Sequence, residues 1–154
     1  MSLRSAPFVL PKAELLTSDG SLSSSAALFS EGPTLVVIGH KDCKTTRETL
    51  PFIDRIHRDG GRAIAMLQDS PKDAAAALAK LGLTLPFFSE SNPFPLSAAI
   101  GLETVPTLLF IEADGTVALT SEAFRRPDIE AFAARLGVPK PVLANDTMPG
   151  FKPG

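Results

Sequence analysis

Residues 34–58 read TLVVIGHKDCKTTRETLPFIDRIHR, and their pattern decides the fold. The first six, TLVVIG, form a continuous apolar run rich in β-branched residues, which suits a strand buried on both faces. From Cys43 to Arg58 the apolar positions Leu50, Ile53 and Ile56 recur at helical spacing with polar residues between them, and Pro51 predicts a kink. Gly60-Gly61 then stops the helix. A buried strand thus feeds a helix, and the chain's single cysteine lies at the junction.

The unit repeats downstream. GRAIAMLQDS (61–70) is a second buried strand, and PKDAAAALAKLGL is a helix opened by Pro71 and ended by Gly82. TLPFFSE reads as a short extended piece and PLSAAIGL as a short helix. TLLFIEADGTVALTSE (107–122) carries the clearest hairpin signal, two β-rich runs around Asp114-Gly115. PDIEAFAARLGV is a last amphipathic helix with Ile129, Phe132 and Leu136 on one face. Upstream, ELLTSDGSLSSSAALF reads as two extended pieces around a Ser18-Asp19-Gly20 turn. Strand, helix, strand, helix, hairpin and helix predict an α/β fold: parallel βαβ pairing with an antiparallel edge contributed by the hairpin. One domain is expected over 1–137. PKPVLANDTMPGFKPG, with four prolines, makes 138–154 an irregular Pro-rich tail.

Composition removes several function classes. The 154 residues carry a formal net charge of −2 and no Trp or Tyr, so nothing resembles a basic, aromatic-interleaved nucleic-acid surface. No apolar stretch is long enough to cross a bilayer. One cysteine excludes an internal disulfide framework and a Cys-rich zinc site. No His, Cys and carboxylate cluster has metal-ligand spacing, so no metal and no organic cofactor are expected. MSLRSAPFVLPKAELL lacks a continuous apolar segment with a cleavage site. The expected compartment is cytoplasmic, or periplasmic if a leader has been removed.

Cys43 is the candidate nucleophile. The first N–H groups of a helix have no backbone partner and the dipole is positive there, so a thiolate is stabilised at that end. Lys44 adds positive charge and Asp42 opposes it. The alternative is a buried structural thiol, but charged neighbours on both sides place Cys43 outside an apolar core. His40 is a weaker candidate for a base or cation beside it, against a solvated loop histidine. His57 suits a helix C-terminus, and Asp42 suits a turn, an N-cap or a buried proton acceptor. Asn145-Asp146-Thr147 matches a glycosylation sequon, a pattern short enough to arise by chance. Phe87, Phe88 and Phe94 read as cover for the sheet.

TLVVIGHKDCKTTRETLPFIDRI resembles the active-site segment of thioredoxin-like redoxins of the TlpA and AhpC/TSA type, where a strand leads into Cys-x-x-Cys and a kinking proline. On that resemblance Cys43 takes the place of the nucleophilic cysteine, Lys44 and Thr45 are the intervening pair, and Thr46 stands where the second cysteine belongs. GLETVPTLLFIEADGTV resembles the family's Val-Pro-Thr stretch before the Asp-Gly hairpin. This implies a cis Val105–Pro106 bond facing Cys43, with Val105, Pro106 and Thr107 binding an extended partner. The resemblance implies a three-layer sandwich, a central mixed sheet with helices on both faces. Its implied activity is thiol–disulfide exchange with a disulfide- or thiol-containing protein or a small thiol.

Thr46 changes that chemistry, because a threonine cannot release a mixed disulfide as a second thiolate does. Its hydroxyl is expected instead to donate a hydrogen bond to the Cys43 thiolate. TMPGFKPG resembles the end of a bacterial subgroup in which Pro-Gly precedes a further cysteine or selenocysteine, a candidate resolving group. Two alternatives stand beside the monothiol oxidoreductase. A peroxiredoxin-like peroxidase is one, although VVIGHKDC puts Val36 and His40 where its motif has Pro and Thr. The other is a redox-inactive module that binds proteins through the Pro106 surface.

Overall fold

The structure, a computed structural model, describes residues 2–139, 141, 146 and 148–154. Three short strands open the chain: β1 (Phe8–Val9), β2 (Glu14–Leu16) and β3 (Leu22–Ser24), followed by a 3-10 turn at Ser25–Leu28. Next come β4 (Thr34–Gly39), α1 (Lys44–Arg58), β5 (Ala63–Leu67), α2 (Pro71–Lys80), β6 (Phe87–Ser89) and α3 (Pro95–Ala99). β7 (Thr107–Ile111), β8 (Thr116–Glu122), β9 (Phe124–Arg125), α4 (Arg126–Arg135) and β10 (Phe151–Lys152) complete it.

Among the described residues the main sheet has eight strands, in the order β1-β8-β7-β4-β5-β6-β2-β3. β4, β5 and β6 run parallel, joined through α1 and α2, while β7 runs antiparallel to β4. Every residue of β4, β5 and β7 is buried, as expected of strands covered on both faces. Successive side chains point to opposite faces, and two cores result. Leu35 and Val37 pack with Leu50, Ile53, Leu78, Ile129 and Phe132 from α1, α2 and α4. Val36 and Ile38 pack with Leu96 and Ile100 at α3 and with Leu10, Leu15 and Leu28 of the N-terminal segment. The fold is therefore an α/β sandwich with helices on both faces of a mixed sheet.

The hairpin forms at the expected turn. Gly115 has φ 91°, and the Asp114 carboxylate accepts the Thr116 N–H at 2.9 Å. An added Cβ at Gly115 would strike the Phe29 ring. The hairpin does not form the sheet's edge, because β1 pairs outside β8 through Phe8↔Val117 and Val9↔Thr116. Three residues between Pro7 and Pro11 are too few for a periodic signal, so only pairing with β8 defines this strand. The tail is also more ordered than its composition implies: β10 pairs antiparallel with β9, Phe151 opposite Arg125 and Lys152 opposite Phe124. The sequon's Asn145 and Thr147, and the remainder of the tail expectation at 140 and 142–144, lie outside the described residues.

Candidate active site

Cys43 is the N-cap of α1, with extended backbone (φ −85°, ψ 118°). Its Sγ accepts the N–H of Thr46 at 3.4 Å, the bond that a Ser or Asp oxygen makes at most N-caps. The loop before it is pinned from three sides. Lys41 N–H donates to Asp69 Oδ2 at 2.9 Å, Arg47 Nη1 donates to the Lys41 carbonyl at 2.7 Å, and Gln68 N–H donates to the Gly39 carbonyl at 2.9 Å.

Opposite Cys43 lies the loop before β7. The Val105–Pro106 bond is cis, and the Cys43 thiol donates to the Val105 carbonyl at 3.5 Å. The sulfur sits between an N–H that welcomes negative charge and a carbonyl that holds the thiol proton. Ala123 N–H donates to the Pro106 carbonyl at 2.8 Å, and Thr107 Oγ1 donates to the Thr104 carbonyl at 2.8 Å. Thr107, expected to face a partner, is thus fully buried and braces the loop from within.

Thr46 is buried against Gly39, where an added Cβ would lie 2.7 Å from the threonine hydroxyl. That hydroxyl has no hydrogen-bond partner among the described residues. The expected bond from hydroxyl to sulfur is replaced by the backbone N–H of the same residue. Lys44 is exposed. Asp42 is neither the N-cap nor a buried proton acceptor: its side chain is 78 % exposed and pairs with Lys41 at 3.3 Å. His40 lines a cleft of about 370 Å³ with Gln68, Phe94, Ser97, Thr104 and Val105, and no hydrogen bond joins its ring to Cys43 among the described residues. His57 lies in the last turn of α1, as its sequence position suggests.

Glu90 is a supporting residue that sequence reasoning missed. Almost fully buried, it accepts the N–H of Leu96 at 2.6 Å and of Ser97 at 3.1 Å, and the Ser97 hydroxyl at 2.5 Å. It caps α3, which lines the cleft beside Val105. No local motif marks it, because Glu90 precedes α3 by a cis Asn92–Pro93 turn rather than sitting at the cap position.

Asp69, near the loop, has a displaced carboxyl. Burial raises its pKa above the ordinary value, partly offset by the Lys41 N–H and by the charges of His40 and Lys41. A carboxyl raised on folding favours the folded state below the unfolded pKa, and that contribution is lost as pH rises through the folded value. Asp69→Asn keeps an acceptor for Lys41 N–H and removes the desolvated charge. Its stability relative to the parent, from urea unfolding at several pH values, is expected to improve across the carboxylate range and then level off.

No protein-family model matches the chain, and no curated protein matches it in sequence. Solved structures do match. One is the thioredoxin domain of a thiol-disulfide oxidoreductase from Bacteroides vulgatus, with TM-score 0.72 and 12% identity over 86% of this chain and 97% of that one. A thiol:disulfide interchange protein from Bacteroides sp. gives 0.67 and 15% over 79% and 83%. A thiol:disulfide interchange protein of the thioredoxin family from Chlorobium tepidum TLS gives 0.64 and 18% over 86% and 98%. The fold is thioredoxin-like, as the resemblance of the Cys43 and Pro106 segments implied. Among the described residues no helix is long and apolar enough to cross a membrane, and no acidic, His or Cys group could hold a metal ion.

Proposed function

We propose that the chain is a monothiol thiol–disulfide oxidoreductase with Cys43 as nucleophile. The observation that carries this reading is the seat of the sulfur, half-exposed at the start of α1 between the Thr46 N–H and the Val105 carbonyl. The likeness of the fold to thiol:disulfide interchange proteins supports it. Cys43, as thiolate, attacks one sulfur of a disulfide. A new S–S bond forms to Cys43 as the old one breaks, and the electron pair leaves on the departing thiolate. An extended partner donates a backbone N–H to the Val105 carbonyl in place of the thiol proton. With threonine at position 46, release of the mixed disulfide falls to a second thiol, such as glutathione or a partner's cysteine.

Incubation with 2,2′-dipyridyl disulfide tests this. The folded protein is expected to release a single equivalent of thiopyridone and hold a stable mixed disulfide, which a small thiol then removes. Cys43→Ser releases none. A protein that reacts only after unfolding would return Cys43 to a structural role and favour the redox-inactive binding module.

A further inference from the structure

The last described residues run across the face of the site. Arg126 N–H donates to the Gly150 carbonyl at 2.8 Å, β10 pairs with β9, and the Arg125 guanidinium lies 4.6 Å from the Phe151 ring centre. Lys152 Nζ then meets Glu48 Oε1 of α1 at 2.5 Å, both side chains about three-quarters buried. Thr45 Oγ1 donates to the Pro153 carbonyl at 2.5 Å. Gly154 packs so closely on the Thr104–Val105 turn that an added Cβ would strike the Val105 carbonyl. An extended segment of the chain therefore lies between the first turns of α1 and the carbonyl that contacts Cys43.

We propose that residues 150–154 are an internal occupant of the groove through which a partner polypeptide reaches Cys43, held there by the Lys152–Glu48 pair and displaced when a partner binds. This deepens the oxidoreductase reading and rests on it. The segment lies in extended form, its carbonyls taken by Thr45 and Arg126, as a partner strand laid along a sheet edge would be. Glu48 is the charge against which a basic side chain is seated, so the groove favours an extended partner carrying Lys or Arg at that position. The rate with a polypeptide then scales with the fraction of molecules whose tail is out. A small disulfide, needing only the exposed side of the sulfur, depends on it less.

The test uses the full chain in four forms: parent, Lys152→Glu, Glu48→Lys, and the double exchange that restores the pair with its signs reversed. Each reacts with dipyridyl disulfide and with an uncharged Gly/Ser/Ala peptide whose single cysteine is activated as its thiopyridyl disulfide. Cys43 displaces thiopyridone, forming the Cys43–peptide S–S bond as the peptide–thiopyridyl bond breaks, and the proton given up by the thiol is balanced by the one the leaving pyridinethiolate takes on its ring nitrogen. Each single variant is expected to react with the peptide roughly three- to fivefold faster, as loss of one ion pair allows. The double exchange is expected to return to the parent rate, with little change for dipyridyl disulfide throughout. Equal peptide rates in all forms, a parallel rise with both reagents, or no return in the double exchange would overturn the proposal. A parent inert to both reagents would instead remove the oxidoreductase reading, and the proposal with it.

Discussion

Thr46→Cys is expected to convert a protein that stops at the mixed disulfide into one that turns over. On the proposed function, the parent holds its partner on Cys43 until an external thiol arrives. A second sulfur at position 46 sits one helical turn on, in the residue whose N–H already contacts the Cys43 sulfur. The introduced thiolate would attack the Cys43 sulfur, release the partner as a thiol and leave an intrachain disulfide, so two electrons pass to the partner. With no other thiol present, the reduced Thr46→Cys protein should release an equivalent of a protein disulfide as two free thiols, where the parent stays joined to its partner. Turnover followed by thiol release measures this. Thr46→Val is the control. It keeps the shape and removes a buried hydroxyl that has no partner among the described residues, so it should be neutral or more stable by about 1 kcal/mol while gaining no turnover. If Thr46→Cys forms the disulfide yet turns over no faster, release of the partner is not what threonine limits.

Glu90→Ala should cost the most stability of any single change near the site. It strips the acceptor from two backbone N–H groups and one hydroxyl, all at a buried helix start. Unpaired buried donors cost about 1–3 kcal/mol each before relaxation. Ser97 keeps the bond it accepts from Gln68 at 3.0 Å, while its own O–H and the two N–H groups lose their acceptor and recover part of the cost by relaxation. The expected loss is therefore about 3 kcal/mol, a fall in Tm of roughly 6–12 °C for a chain of this length. Glu90→Gln should lose less than half of this, since its amide oxygen can face the two N–H groups while its NH2 turns to Ser97. Loosening α3 also frees the Thr104–Val105 turn beside the cleft, so exchange at Cys43 should slow in the alanine variant even at temperatures where it remains folded. Thermal unfolding of the two variants side by side checks the first expectation. An alanine variant as stable as the glutamine one would mean that water takes over the acceptor role.

Local order was legible because its causes are local. β-branched runs gave β4 and β5, the 3.6-residue period gave α1, and Asp114-Gly115 gave the turn between β7 and β8. The place of Cys43 follows from the same kind of signal, since the strand's end and the first helical residue can be read within about ten positions. Pro106 was legible only beside Cys43 and through resemblance, because a proline before a strand has several ordinary explanations.

What the tertiary structure alone decided are the contacts whose partners are remote in sequence. Val105 meets Cys43 across 62 positions, and Thr45 meets Pro153 across 108. Thr46 could be identified as the residue in the second cysteine's place, yet the direction of its hydroxyl is set by the close approach of Gly39 in β4. Prolines and small polar residues made the tail read as irregular, because a segment of so few apolar residues cannot fold on its own. Its order comes from surfaces already built by α1, β9 and the Val105 loop, and no periodicity within the segment encodes them.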